Sequence, residues 1–232
     1  MKRQTSLLIA AMAMAAAALP SGQGQDRFSE EALKGIQIRG IGPGLATGRV
    51  VDVEIDPKNP NVWYVASAFG GLWKTENRGI TFNPIFDDGP FTLCCVVVDP
   101  KDSDVVWLGS GENNSQRSAH FGDGVYKSTD AGKTWKRMGL EKSEHIGKIV
   151  IDPRNSSVVY VAAQGPLWNS GGERGLYKTT DGGASWTRVH HVSDDTGITD
   201  IVLQPGKPDV IFTSAYQRRL TGRTQTRDAS LR

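Results

Sequence analysis

Two carboxylates, Glu112 and Asp123, flank a polar loop that begins with GENNSQR at residues 111–117. A pair of carboxylates beside one loop is the set of groups that general acid and base catalysis uses. Glu112 and Asp123 are therefore the candidate catalytic residues, and we expect both to face the same side of the fold. They are the one carboxylate pair that we select for this role.

The same loop predicts a ligand-binding site. Its amide, carboxylate and guanidinium groups offer donors and acceptors for sugar hydroxyls or for a peptide backbone. The candidate ligand-binding residues are Glu112, Asn113, Asn114, Gln116 and Arg117. The alternative is that these side chains hydrogen-bond one another and only order a long loop. The sequence leaves both interpretations open.

The four histidines do not indicate a metal site. His120, His145, His190 and His191 lack the spacing of metal ligands, so we expect no metal and no cofactor. We interpret His145 as a hydrogen-bonded histidine in a turn.

Two adjacent cysteines, Cys94 and Cys95, lie in an apolar run. In a regular strand their side chains point to opposite faces, which is incompatible with an ordinary disulfide between them. We interpret them as two small buried apolar residues.

The chain begins with the features of an export signal. Lys2 and Arg3 precede an apolar, alanine-rich run at residues 7–19, which is too short to span a membrane. We therefore expect the protein to be secreted or periplasmic, without stable membrane insertion.

The charge of the chain is unevenly distributed. When Lys2, Arg3 and the Arg-rich residues 218–232 are left out, the rest of the chain carries 20 basic and 24 acidic side chains. That balance argues against a nucleic-acid partner.

Two interleaved repeats organise the chain. The first reads KTENRGITF at residues 74–82, KSTDAGKTW at 127–135 and KTTDGGASW at 178–186. The second reads DPKNPNVWY at residues 56–64, DPKDSDVVW at 99–107, DPRNSSVVY at 152–160 and QPGKPDVIF at 204–212. Each second motif leads into an apolar or aromatic strand, and each first motif lies between two further strands. Four antiparallel strands in about 50 residues, repeated, predict the blades of a β-propeller.

The first repeat has the composition of a turn between the third and fourth strands. Its Asp can accept hydrogen bonds from the turn amides, its Gly permits positive φ, and its Trp can cover the hairpin. The pattern resembles the Asp-box, also called the bacterial neuraminidase repeat, whose residues are structural. The residues concerned are Asn77, Gly79, Asp130, Gly132, Trp135, Asp181, Gly183 and Trp186.

With these repeats, residues 28–219 resemble the Asp-box propellers, which include sortilin N-terminal domains, family 74 xyloglucanases and sialidases. The chain is most similar to secreted bacterial proteins named for sortilin or for glycosyl hydrolases, through stretches such as SEHIG at residues 143–147 and AYQR at 215–218. The resemblance implies a binding or scaffold module for a peptide or glycan. The alternative is the N-terminal part of a family 74-like glycoside hydrolase that acts on polysaccharide.

The catalytic residues of these relatives do not carry over to this chain. The xyloglucanases have a catalytic Asp shortly before a pair of glycines, where this sequence has Ala68 or Phe69. Sialidases use an arginine triad with a Tyr nucleophile, and Arg49 is a single candidate for such a triad. We therefore expect this chain to be inactive by itself.

We predict an all-β segment of about three and a half four-stranded blades. The predicted boundaries are a signal peptide at residues 1–25, an N-terminal segment at 26–47 with a ring-closing strand at 36–41, a partial propeller at 48–216, and a divergent, disordered tail at 217–232. Within the propeller, the blades are predicted at residues 48–88, 91–140 and 146–192, with a half blade at 197–216. Because such a segment leaves strand edges open, we expect the chain to be truncated and the missing blades of a full-length relative to be its partners.

Overall fold

Short antiparallel strands form nearly all of the regular structure in the computed structural model, which describes residues 48–114 and 118–220. The first sheet contains β1 (Val50–Ile55), β2 (Trp63–Ser67), β3 (Leu72–Thr75) and β4 (Asn83–Pro84). The second contains β5 (Leu93–Asp99), β6 (Asp102–Ser110), β7 (Val125–Ser128) and β8 (Lys136–Arg137). The third contains β9 (Ile146–Ile151), β10 (Val159–Ala163), β11 (Gly175–Thr179) and β12 (Thr187–His190). The fourth contains β13 (Thr196–Gln204) and β14 (Lys207–Gln217).

This architecture confirms the prediction of an all-β propeller segment. In every sheet the strands lie side by side in chain order, which is the meander of a propeller blade. We call the sheets blade one to blade four, and blade four has two strands among the described residues. The regular helical structure there is one 3-10 turn, Glu141–Ser143, and no described helix is long or apolar enough to cross a bilayer. The predicted signal peptide and ring-closing strand lie outside the described residues.

Apolar side chains between neighbouring blades form the core. Tyr64 of blade one packs with Leu108 of blade two in one cluster. Blades two and three meet around the fully buried Trp107. A third cluster around Tyr160 and Ile201 joins blades three and four. Each blade is therefore stabilised by lateral contact with the next, as in other repeat architectures.

The predicted Asp-box turns share one pattern of hydrogen bonds. Asp130 accepts from the amide and hydroxyl of Thr134 at 2.8 and 2.6 Å and from the hydroxyl of Ser128 at 2.7 Å. These donors, Thr134 first, lower the pKa of the Asp130 carboxyl to about 2. Asp181 has the same arrangement. Because the turn uses Thr134, the fourth strand begins after it, at Lys136.

The tryptophans of these turns tie each blade to the preceding one. Trp135 donates from Nε1 to the carbonyl of Ile85 at 2.8 Å. Trp186 donates in the same way to the carbonyl of Met138 at 2.7 Å. Because Ile85 and Met138 follow the last strands of blades one and two, the same contact is made at two successive boundaries.

The lysine that opens each motif reaches in the opposite direction, to the following blade. Lys74 donates from Nζ to the carbonyl of Ala131, and Lys127 donates to the carbonyl of Gly182, each at 3.1 Å. Each ammonium group also lies over an aromatic ring of its own blade, 5.5 and 4.9 Å from the ring centroids. The lysine therefore combines a hydrogen bond with a cation–π contact.

The cysteine side chains differ from the sequence prediction. The Sγ atoms of Cys94 and Cys95 are 3.1 Å apart, so the expectation that they point to opposite faces is wrong. The register of β5 against β6 shifts between Leu93 and Cys95, because a β-bulge adds one residue and breaks the alternation. Gly109 leaves room for both sulfurs, since a Cβ there would lie 2.7 Å from each. Both cysteines are buried free thiols, as predicted.

Candidate functional site

Four loops lie together at one end of the blades, and we call this surface the loop end. It consists of residues 68–71, 85–92, 111–124 without 115–117, and 164–174. Backbone hydrogen bonds join the loops, for example from the amides of Gly70 and Gly71 to the carbonyl of Phe91. Of the sequence-predicted site residues, the structure places Glu112, Asn113, Asn114 and Asp123 here. Gln116 and Arg117 lie outside the described residues.

The carboxylate of Glu112 is fully engaged by protein groups. Its side chain is buried and forms an ion pair with the guanidinium of Arg49. Asn114 donates from Nδ2 to Oε1 at 2.5 Å, and the amide of His120 donates to Oε2 at 3.3 Å. Among the described polar side chains of this loop, those of Glu112 and Asn114 are thus hydrogen-bonded to each other. Asn113 differs, because its side chain is exposed.

The carboxylate of Asp123 has a different set of partners. It accepts from the hydroxyl of Tyr126 at 2.7 Å and from the guanidinium of Arg137 at 3.3 Å. Burial, and then the hydrogen bond to Asp123, raises the pKa of the Tyr126 hydroxyl. Arg137 belongs to β8, the last strand of blade two. Asp123 and Glu112 therefore belong to one loop but share no hydrogen-bond or ion-pair partner among the described residues.

Arg218 is a central residue of the loop end that the sequence did not single out. Only 2% of its surface is exposed. Its guanidinium donates to the carbonyl of Glu112 at 2.9 Å, and also to the carbonyl of Asn114 and to Oε1 of Gln164. Burial, and then repulsion from Arg174, lowers the pKa of Arg218 to about 10.

The sequence predicted a disordered tail from residue 217 onwards. The structure instead gives Arg218 a buried, hydrogen-bonded position. Strand β14 ends at Gln217, and the amide of Leu220 donates to the carbonyl of Leu167 at 2.7 Å. Residues 217–220 therefore pack against the blades. The AYQR stretch was the available sequence signal, because it resembled the propeller family.

Arg174 holds the loop at residues 164–174 in the same manner. Its buried guanidinium donates to the carbonyls of Gln164 at 2.6 Å, Asn169 at 2.8 Å and Gly171 at 3.0 Å. Burial lowers the pKa of this guanidinium. The sequence analysis missed Arg174 because its acceptors are backbone carbonyls. Every residue has such a carbonyl, so these contacts leave no motif in the sequence.

His145 lies beneath the loop end as a neutral side chain. It is buried, and its Nδ1 lies 2.8 Å from the carbonyl of Glu112, so Nδ1 carries the proton and donates. Burial, followed by the charges of Arg218 and Arg174, lowers the pKa of His145 to about 3. The hydrogen bond agrees with the interpretation of His145 as a hydrogen-bonded residue.

His145 gives a prediction for the pH dependence of stability. Below its ordinary pKa of 6.5 the unfolded chain binds a proton that the folded chain excludes. The free energy of unfolding should therefore fall as the pH decreases from 6.5 towards about 3. We expect His145→Asn to reduce this fall in urea titrations between pH 7 and pH 4, whereas the exposed His190→Asn leaves it unchanged. Equal pH profiles for the wild type and His145→Asn would contradict the assignment.

Exposed aromatic rings lie around these polar groups. Phe69 packs against Phe91 and His120, with ring centroids 4.5 and 4.7 Å away. Phe121 and Trp168 expose 72% and 49% of their surfaces. In the described part of the chain, no group of three His, Cys, Asp or Glu residues is placed to hold a metal ion. The loop end thus combines aromatic surface with hydrogen-bonding groups, which is the usual composition of an organic ligand site.

The sequence of this chain is similar to one protein family and to several curated proteins. The Sortilin-Vps10 family, described as "Sortilin, neurotensin receptor 3", matches residues 123–231. A xyloglucanase of Hypocrea jecorina is 28% identical over 162 residues, which are 63% of this chain and 18% of the relative. A xyloglucanase of a Paenibacillus species is 30% identical over 144 residues, which are 58% of this chain and 12% of the relative. The chain is a β-propeller segment similar to both groups.

Solved structures show the same fold. The GH74 xyloglucanase of Xanthomonas campestris superposes with a TM-score of 0.54 at 18% identity, over 76% of this chain and 29% of that one. An ancestral GH74 enzyme gives a TM-score of 0.58 at 20% identity, over 79% of this chain and 25% of that one. The resemblance inferred from the sequence is thereby confirmed. The match to the Sortilin-Vps10 family also includes most of the segment at 217–232 that was expected to be divergent.

Proposed function

We propose that the loop end is part of a glycan-binding surface in a GH74-like propeller, and that this segment binds without supplying the catalytic carboxylates. The exposure of Phe121 and Trp168 beside the ordered loop of Glu112 carries the proposal. Both aromatic side chains offer apolar faces, and the exposed Asn113 offers an amide, so the surface suits a ligand with alternating apolar and hydroxyl groups. Export through the N-terminal signal would place this surface where polysaccharides occur.

The carboxylates argue against catalysis by this segment. Glycosidases use two carboxyl groups that both reach the sugar, separated by roughly 5–10 Å. Glu112 is buried, and Arg49 compensates its charge. Asp123 is held by Tyr126 and Arg137 through separate hydrogen bonds. Both carboxylates thus already form ion pairs with guanidinium groups of this chain.

Two observations favour other candidates. The curated relatives are xyloglucanases, which favours a hydrolase in which Glu112 acts together with a carboxylate from outside this chain. The Sortilin-Vps10 match favours a peptide as the ligand of the same surface. The chain spans less than a fifth of the length of these two curated relatives.

Xyloglucan oligosaccharides provide the test of the glycan proposal. We expect them to bind the chain in calorimetry, and we expect the double variant Phe121→Ala/Trp168→Ala to weaken binding at least about tenfold, through loss of stacking area. Phe82→Ala is the matched control, because Phe82 is also partly exposed but belongs to the Asn77 turn. Unchanged affinity in the double variant would contradict the proposal.

The same samples test the hydrolase alternative through the release of reducing ends. We expect none from the chain. Release that is lost in Glu112→Gln would support the hydrolase, and binding of an extended peptide without binding of the oligosaccharide would support the sortilin-like ligand.

A further inference from the structure

Cys94 and Cys95 form a buried pair of thiols that the proposed function does not use. They are the two cysteines of the whole sequence, and their Sγ atoms lie 3.1 Å apart. A sulfur–sulfur bond measures about 2.0 Å, so a shift of roughly 1 Å separates this contact from a covalent bond. We call the two side chains the dithiol.

A β-bulge at the start of β5 brings the two sulfurs together. Cys95 lies opposite Gly109 of β6, and Cys94 is the extra residue of the bulge. In a regular strand consecutive side chains point away from each other, whereas a bulge turns one of them to the other face. The contact between the sulfurs therefore follows from the backbone of the sheet.

Gly109 provides the space that the dithiol occupies. A Cβ atom at this position would lie 2.7 Å from each sulfur and 2.8 Å from Cγ2 of Ile146 in blade three. Apolar side chains of blades two and three surround the pair, and Cys94 and Cys95 expose 1% and 6% of their surfaces. The fold thus holds both sulfurs against each other and removes the side-chain freedom that they have in the unfolded chain.

We propose that the dithiol is a redox modification site, at which exchange with a disulfide-bearing oxidant closes a reversible bond between Cys94 and Cys95. Export, which the N-terminal sequence predicts, would place the chain where such oxidants persist. The Cα atoms of adjacent residues are about 3.8 Å apart, less than the roughly 4.4–6.8 Å of ordinary disulfides, so the bond is strained and readily reduced again. This site does not depend on glycan binding at the loop end.

Two exchange steps form the bond. Cys95, the more exposed thiol, loses its proton and attacks the oxidant, which gives a mixed disulfide and releases the first thiol. Cys94 then loses its proton and attacks the sulfur of Cys95, which releases the second thiol. The chain loses two hydrogen atoms in all, and the oxidant gains them. Burial, and then the hydrogen bond to Cys95, raises the pKa of the Cys94 thiol, so the second step should proceed when β5 opens locally.

Glutathione disulfide is the probe, and the mass of the full chain is the readout. We expect the oxidant to remove two hydrogen atoms from the monomer and to leave no thiol that iodoacetamide alkylates after unfolding. Cys94→Ser should stop at the mixed disulfide on Cys95, because it lacks the second nucleophile. Glutathione that stays bound to the wild type, or dimers linked by a disulfide, would overturn the proposal.

Redox equilibria separate a site built by the fold from the ordinary reactivity of neighbouring cysteines. In glutathione buffers, we expect the equilibrium constant for oxidation to be about tenfold larger for the folded chain than for the chain in urea, because folding fixes both side chains in advance. By reciprocity, the oxidised chain should then unfold at a higher urea concentration than the reduced chain. The double variant Cys94→Ser/Cys95→Ser is the control, and its unfolding should not respond to the oxidant. An equal or smaller constant in the folded chain would refute the proposal.

Discussion

Replacing Arg218 with alanine should lower the free energy of unfolding by about 3–5 kcal/mol, the largest effect that we expect from a polar substitution in this chain. The guanidinium is buried and donates to the carbonyls of Glu112 and Asn114 and to the side chain of Gln164. Its removal takes one donor from each of these acceptors and opens a cavity between the loops. The measurement is urea unfolding at neutral pH.

The neighbouring residue gives the control for this prediction. Arg219 is partly exposed and forms an ion pair with Asp195 at 3.2 Å, so Arg219→Ala should change stability by less than about 1 kcal/mol. Arg218→Lys should not restore stability, because an ammonium cannot reproduce the planar geometry of the guanidinium donors. Equal stability of the Arg218 and Arg219 alanine variants would show that the buried guanidinium is not a structural clamp.

Replacing Trp107 with alanine should cost about 3–5 kcal/mol, because a large buried ring is lost from the boundary between blades two and three. Trp107 is fully buried, its ring centroid lies 6.1 Å from that of Trp186, and Lys127 lies over its face. A cavity at this boundary weakens the lateral contact that stabilises both blades. Thermal and urea unfolding measure the effect.

A milder substitution at the same position tests the cause. Trp107 Nε1 is buried and has no hydrogen-bond partner among the described residues. Trp107→Phe therefore loses ring volume without losing a hydrogen bond, and we expect a cost below about 2 kcal/mol. Trp168→Ala, at an exposed ring, should leave stability nearly unchanged. A cost in Trp107→Phe as large as that in Trp107→Ala would contradict the explanation by lost ring volume.

The blades could be predicted from the repeats because each repeat contains residues that determine local structure. Alternating apolar residues specify strands, and the Asp and Gly of each turn motif specify a tight hairpin within a few residues. The turn geometry around Asp130 involves partners no more than four residues away. The prediction that Cys94 and Cys95 point to opposite faces was wrong for a similarly local reason. One β-bulge reverses the face of a side chain, and it leaves no clear pattern in the sequence.

The loop end was only partly predictable. The sequence indicated Glu112, Asn113, Asn114 and Asp123 as one polar loop, and the structure places them on one surface. It could not indicate that Arg49 neutralises Glu112, because these residues are far apart in the chain. Exposed rings such as Phe121 and Trp168 were missed because their exposure depends on how separate loops pack.

The sequence by itself determined the fold class, the number of strands in each described blade and the structural turns, since each depends on contacts between residues close in the chain. The tertiary structure alone decided that Glu112 is a neutralised, buried carboxylate and that Arg218 holds the loop end together. The physical reason is distance along the chain: Arg218 bonds to residues 104 and 106 positions earlier, and no local pattern encodes such contacts. In three dimensions, the described residues of this polar loop lie at the same end of the blades as the exposed rings of Phe121 and Trp168.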